Sequence, residues 1–322
     1  MYKRQVEELP QRSGIDPRHP RAPQTPPEQR HEPAGADGGH GGDAGGLPPR
    51  ARRHEPARPP LPPHPTIVPA TGESPEGPTP PVAILSDIHG NRQALDATLR
   101  AAREAGARSW WCVGDIVGYG ADPTYCLGET IGRAERCIAG NHDLGVTGAV
   151  SIETFADLAR EALIWTRERL GPIGRAKLQR LSPADPDAEV PMFHGSPRDP
   201  VWEYVIAVDQ AREALEDRRV PLTLIGHTHV PGAWRLTPDG AMESPGVPAG
   251  GLLALTEGRW LVNPGSVGQP RDRDARASWA LYDPEEHTIR FHRTPYDVAA
   301  AQNAILEAGL PSLLAHRLAG GR

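Results

Sequence analysis

Apolar residues in this chain fall in short unbroken runs, separated by stretches with helical spacing, and that alternation predicts an α/β protein. Residues 82–86 (VAILS) form a continuous apolar run, as expected of a strand covered on both faces. From Asn91 the apolar residues recur at helical spacing, with Gly106 as the stop. Residues 109–113 (SWWCV) and 137–139 (CIA) read as the second and third strands. A strand–helix–strand rhythm implies parallel strands with right-handed crossovers. In such sheets ligands collect at the carboxyl ends of the strands.

Further along, Ser151 is placed to cap a helix. Ile152, Phe155, Ala159, Leu163 and Thr166 trace one face of it, and Gly171 ends it. A shorter helix is expected over 174–181, a strand over 189–193, and a helix near 208–218 ahead of the strand-like PLTLIG (221–226). The C-terminal part reads mostly as strands: GAWRL, GLLALTEGRWLVN, ASWALYD and HTIRFHR. Thr256-Glu257-Gly258 and Asp283-Pro284-Glu285-Glu286 read as hairpin turns, and 297–309 as a final helix.

Composition divides the chain. Residues 1–80 are rich in Pro, Gly, Arg and His, with Tyr2 the one aromatic. Burial there cannot offset the entropy of ordering, so the segment reads as a disordered tail. Two accounts of it stay open. It is a solvated linker, or it lies upstream of a true start just before Val82; a mass measurement of the native protein separates them. Residues 81–322, roughly 240 in number, suit one large α/β domain. No apolar run reaches the length of a membrane span, and the tail has no apolar core of a secretory signal. Net charge −6 gives no basic groove, which argues against nucleic acid as partner. Cys112, Cys126 and Cys137 show no C-x-x-C spacing, which excludes a disulfide framework and a thiolate metal site and fits a reducing cytoplasm. A homo-oligomer is compatible with all of this.

The chemistry sits at the predicted strand ends. Asp87 and His89 in SDIHGN, Asp115 in VGDIVG, Asn141, His142 and Asp143 in GNHD, His194 in MFHGS, and His227 and His229 in GHTH each follow an apolar run on a glycine-flanked turn. Any one of these alone is polar surface or a satisfied turn histidine more often than a ligand. Five in order are a different matter. Two divalent metals need about this many oxygen and imidazole donors, with one carboxylate able to bridge. Asp87 and His89 can turn to one metal if the backbone bends, which Gly90 permits. The tail histidines (His31, His40, His54, His64) and His287, His292 and His316 fit no such pattern.

This order of blocks, from about Val82 to about Arg293, resembles the calcineurin-like metallophosphoesterase superfamily. The resemblance implies a four-layer α/β/β/α sandwich with two mixed sheets. It implies one metal held by Asp87, His89 and His229, a second by Asn141, His194 and His227, and Asp115 bridging them. His/carboxylate ligation without thiolate suits Mn²⁺, Fe, Zn²⁺, Co²⁺ or Ni²⁺ without choosing among them, and Mn²⁺ is the expected metal. The implied reaction is attack of a metal-bridging hydroxide on a phosphoester, with His142 as general acid. Asp143 is expected to cap the following turn more than to act on His142. The segment 263–271 (NPGSVGQPR) reads equally as a plain loop or as a lining of the site. The resemblance favours the lining, with Asn263, Ser266 and Arg271 beside the metals. Tyr119 and Arg198 are further candidate substrate contacts.

The pattern departs from the serine/threonine protein phosphatases of that superfamily. Gly118 stands where they carry the carboxylate that pairs with the catalytic histidine, and their phosphate-gripping Arg is missing there too. The chain therefore looks closer to the small prokaryotic phosphodiesterases, acting on a small phosphoester or nucleotide. Alternatives are a dinucleoside polyphosphate hydrolase, a phosphomonoesterase, or an inert scaffold that binds metal.

Overall fold

The strands here are short, and the central ones β1 (Val82–Leu85) and β6 (Leu222–Ile225) are buried along their whole length, because each sheet is covered on both faces by other elements. A computed structural model of the chain describes residues 79–322. The tail read over residues 1–80 lies, but for its last two residues, outside them. Along the described chain, β1 (Val82–Leu85) is followed by α1 (Arg92–Glu104), β2 (Ser109–Cys112), α2 (Pro123–Arg133), β3 (Arg136–Cys137), α3 (Asn141–Thr147), a 3₁₀ turn (Ile152–Thr154) and α4 (Asp157–Leu178). Next come β4 (Ala184–Asp185), β5 (Met192–Phe193), α5 (Val208–Glu216), β6 (Leu222–Ile225), β7 (Gly232–Leu236) and β8 (Met242–Glu243). The chain closes with β9 (Leu252–Ala254), β10 (Arg259–Asn263), β11 (Ala277–Asp283), β12 (Thr288–Thr294), α6 (Val298–Glu307) and α7 (Ser312–Gly320).

Two six-stranded mixed sheets result, ordered β3-β2-β1-β11-β12-β9 and β4-β5-β6-β10-β7-β8. In the first, β1, β2 and β3 are parallel and β11 runs antiparallel to β1. In the second, β5, β6 and β10 are parallel. Alternation along each strand makes the layers. Ala83 and Leu85 face one core with Leu95 and Leu99 of α1, Leu163 of α4 and Leu314 of α7. Val82 and Ile84 face the other way, against Met192, Leu224 and Val262 of the second sheet. Phe193, Ile225 and Leu261 turn their side chains to Ala211 and Leu215 of α5. The order is therefore helices, sheet, sheet, helix, the expected four-layer α/β/β/α sandwich. Each Leu- or Ile-sized side chain so covered contributes roughly 1.5–3 kcal/mol of transfer free energy.

Some elements differ from the pattern reading, and α7 follows the helix read as the last. The segment GLLALTEGRWLVN is not a hairpin, because β9 pairs with β12 in the first sheet while β10 pairs with β6 and β7 in the second. Thr256-Glu257-Gly258 instead carries the chain between sheets. Ser151 caps the 3₁₀ turn, its Oγ accepting from the Glu153 N–H at 3.3 Å, and α4 starts later, at Asp157. The helices expected on either side of Gly171 are both present within Asp157–Leu178, separated where Gly171 takes the non-helical φ 59° and ψ −170°. The second turn is a hairpin as expected, with Asp283 Oδ1 accepting from the Glu285 and Glu286 N–H groups at 3.1 Å each. Among the described residues no helix is long and apolar enough to cross a membrane.

Candidate metal centre

Loops leaving the carboxyl ends of β1, β2 and β3 in one sheet, and of β5 and β6 in the other, meet at one place. The first two stay bonded beyond their strands. Asp87 N–H donates to the Gly114 carbonyl at 3.0 Å, and His89 N–H to the Asp115 carbonyl at 2.9 Å. Asp87, His89, Asp115, Tyr119, His227 and His229 all take positive φ, between 50° and 67°. That left-handed conformation costs a residue with a Cβ on the order of 1–3 kcal/mol, although Asp and His tolerate it best. Close approach is also enforced, since a Cβ on Gly140 would collide with the Asp115 carboxylate.

Two groups of donors follow. The donor atoms of Asp87, His89, Asp115 and His229 all lie within 4.8 Å of one another, and so do those of Asp115, His194 and His227. Asp115 belongs to both. Each carboxylate has one oxygen tied to backbone and one free. Asp115 Oδ1 accepts from the His142 N–H at 2.8 Å and Asp87 Oδ2 from the His227 N–H at 3.2 Å. Asp115 Oδ2 and Asp87 Oδ1 are buried with no hydrogen-bond partner, as is His227 Nε2.

The histidine tautomers sharpen this. Nδ1 of His89, His194 and His229 each face a backbone carbonyl, of Val117 at 3.2 Å, Val113 at 2.9 Å and Gln269 at 2.6 Å. A carbonyl only accepts, so each Nδ1 carries a hydrogen, and a neutral ring then keeps a lone pair on Nε2. Yet the His89 and His229 Nε2 atoms face each other at 3.0 Å, while His194 Nε2 lies 3.1 Å from Asn141 Oδ1. The His89 and His229 lone pairs, turned on one another beside two carboxylate oxygens at 3.4–3.9 Å, repel unless cations lie between them. The donor set thus fits a pair of divalent metals bound by oxygen and imidazole.

The electrostatics agree. Burial, opposed by His194 and reinforced by Asp115, pushes Asp87 up to about 7. Burial would raise Asp115 as well, but His194, His142 and His89 hold it well below the usual carboxylate range. Burial alone would lower His194; attraction to Asp115 and Asp87 outweighs it and raises the ring to about 10. Burial drives His89 and His229 well below the normal imidazole range, and His227 down to about 3. The centre thus attracts positive charge while most of its imidazoles stay neutral, as ligands must.

His142 heads α3, its ring 4.8 Å from His89, 4.4 Å from Tyr119 and 5.2 Å edge-on to Phe155. Burial lowers it to about 4. Its Nδ1 is buried without a partner, and a Cβ on Gly118 would lie 2.5 Å from that atom. No carboxylate fits there. Asp143 serves the backbone. It accepts from the N–H of Gly140 at 2.9 Å and of Ile116 and Val117 at 3.1 Å each, tying the GNHD turn to the Asp115 loop.

The expected substrate contacts divide. Tyr119 packs on His89 at 4.7 Å, and the Arg271 guanidinium lies 5.8 Å from the Tyr119 ring. Three others have different occupations. Asn263 is wholly buried, donating to the Gly226 carbonyl at 2.7 Å and to Thr228 Oγ1 at 3.0 Å. Ser266, also wholly buried, donates to the Asp87 carbonyl at 2.8 Å and accepts from Gln269 N–H. Both are spent on holding the loops that carry Asp87, His227 and His229. Arg198 is bound by Glu203 and Glu213 at the surface, away from the cluster. Tyr204 was not anticipated; its ring stacks on His227 at 4.0 Å, and it lies in a segment with no periodic pattern to mark it.

Comparison with known proteins finds the same fold elsewhere. A family model described as a calcineurin-like phosphoesterase superfamily domain matches residues 81–287. An uncharacterised protein of Methanocaldococcus jannaschii is 34% identical over 251 residues, covering 75% of this chain and 98% of that one. The crystal structure of a metallophosphoesterase from Sphaerobacter thermophilus superposes with TM-score 0.67 at 37% identity, covering 76% of this chain and 99% of that one. A hypothetical protein of Pyrococcus horikoshii OT3 shares the fold at TM-score 0.61 and 22% identity, over 75% and 98% of the two chains.

Proposed function

Because this chain belongs to the calcineurin-like phosphoesterase superfamily and is a metal-dependent phosphoester hydrolase, we propose that it is a phosphodiesterase acting on a small phosphoester or nucleotide. The observation that carries this is the double donor cluster, with unpartnered Asp87 and Asp115 oxygens and opposed imidazole lone pairs. In this reading Asp87, His89 and His229 hold one metal, Asn141, His194 and His227 the other, and Asp115 both, with Mn²⁺ the first choice. Bound there, two divalent cations acidify a water nucleophile and neutralise the phosphoryl oxygens.

The chain's own residues do the rest. Asp143, Asn263 and Ser266 fix the ligand loops. His142 faces the leaving side. Neutral when the site is free, its ring takes up a proton as the anionic phosphoryl group settles beside it, and delivers that proton to the departing oxygen. Arg271 supplies the positive charge that the phosphatase pattern places elsewhere. One such charge with neutral Tyr119 and Tyr204 suits a diester, which carries one negative charge on phosphorus.

The test is hydrolysis of bis-p-nitrophenyl phosphate by the metal-stripped chain, with and without added Mn²⁺. Activity that needs Mn²⁺ and falls at least about 10²-fold in His142→Ala, and further in Asp115→Asn, supports the proposal. A general acid matters more for a poor leaving group, so His142→Ala is expected to harm an alkyl ester more than the p-nitrophenyl ester. Metal binding without any cleavage would point to a scaffold instead.

A further inference from the structure

Beside the candidate metal centre lies positive charge held outside any salt bridge. Arg271 Nη2 donates to Gln269 Oε1 at 3.0 Å, and Arg317 Nη1, from α7, approaches the same oxygen at 3.4 Å. A neutral amide oxygen spaces two guanidiniums without neutralising them. Among the described residues neither makes a salt bridge, although the acids around them do: Asp272 pairs with Arg293, and Asp274 with Arg276. The Nε atoms of both arginines are buried with no partner. Burial, with repulsion from Arg271 added, lowers Arg317 from its ordinary value. In a chain of net charge −6, two adjacent cations without a salt bridge among the described residues, with donors unused, are suited to an anion.

The two arginines differ in their distance from the metal ligands. Arg271 donates its backbone N–H to the His229 carbonyl at 3.2 Å and lies 3.5 Å from the Tyr119 hydroxyl. Its charge acts on Asp87, His89, His142, His227 and His229. Arg317 comes from α7, which supplies none of the clustered donors, and reaches Arg271 through Gln269 Oε1. Arg271 therefore faces the reacting phosphoryl group, and Arg317 the next position outward.

We propose that Arg271 and Arg317 together bind a second phosphate of the substrate, next to the one attacked. This deepens the phosphoesterase reading and rests on it: the preferred substrate carries at least two phosphates in series, as in a polyphosphorylated nucleotide. Because both heads reach one amide oxygen, a single polyphosphate chain can bridge them.

The test uses calorimetric titration of the full-length, metal-stripped chain with inorganic phosphate and with pyrophosphate. Without metals, binding reports on the arginines. Pyrophosphate is expected to bind about ten-fold more tightly than phosphate, by at least one extra charge-assisted contact. Arg317→Gln abolishes that preference, and Arg317→Lys, which keeps the charge and loses the fork, retains part of it. Thermal unfolding checks that the variants are folded; if the Gln variant is not, Arg317→Lys decides, with a drop of at least about three-fold in the preference expected. Equal binding of the two anions by the native chain, or an undiminished preference in the folded variants, overturns the proposal. Mn²⁺-dependent cleavage of bis-p-nitrophenyl phosphate is scored separately. Cleavage without the pyrophosphate preference removes the second-phosphate site alone, and the preference without cleavage removes the hydrolase reading.

Discussion

Gly118 decides how His142 sits. Its φ of 95° and the 2.5 Å from a Cβ to His142 Nδ1 leave no room for a side chain. Gly118→Ala is expected to displace the ring and lower kcat by about 10²-fold with metal content unchanged, measured by steady-state kinetics beside elemental analysis. Unaltered kcat would remove His142 from the mechanism. Asp143 acts through backbone. In Asp143→Asn an amide NH₂ faces N–H donors, so metal affinity is expected to fall about 10–100-fold, read by titration with Mn²⁺; intact affinity would show that the brace is dispensable. Each proposed ligand comes from the sequence pattern, because five donor blocks in order, each after an apolar run at a Gly-marked turn, carry what no single block does. What sequence cannot give is where a loop side chain points. Asn263 and Ser266 turn inward to hold backbone, Arg198 turns to Glu203 and Glu213, and Tyr204 reaches His227 from a segment without pattern.

Elements with a period were readable, and elements fixed by long-range pairing were not. The runs at β1 and β2 show burial on both faces directly. α2 opens on Asp122-Pro123, a helix-start signal, but Gly128 and Gly132 within it blur the pattern. The turn at Thr256-Glu257-Gly258 has hairpin chemistry, and only pairing to β12 on one side and to β6 and β7 on the other sends its two arms to different sheets. Gly171 interrupts the helix as read, and a second helical stretch follows it from Pro172. No other atom crowds that glycine, so a side chain there meets backbone strain alone. Gly171→Ala should therefore destabilise the fold by about 1–3 kcal/mol in urea unfolding while kcat stays unchanged. An undisturbed midpoint would mean that the kink relaxes without loss.

On the scale of the molecule, the proposed ligands come from both sheets. Asp87, His89, Asp115 and Asn141 follow strands of the first, His194, His227 and His229 strands of the second. Bound metal would join the two sheets across their open edge. Mn²⁺ at a hundred times its Kd is expected to stabilise the folded chain by about 2.7 kcal/mol, and Asp115→Asn to lose most of that gain in thermal melts. A melt indifferent to Mn²⁺ would deny the centre its metals. The left-handed backbone at Asp87, His89, Asp115, His227 and His229 also sets a direction for drift. A duplicated copy released from its reaction would gain by exchanging these residues for glycine, which adopts that conformation freely. Asp87→Gly is thus expected to be more stable than Asp87→Ala in metal-free chain, though neither could bind metal normally. Selection for activity keeps the chain short of its stability optimum, and the metal-binding loops would be the first part to change once that selection lapsed.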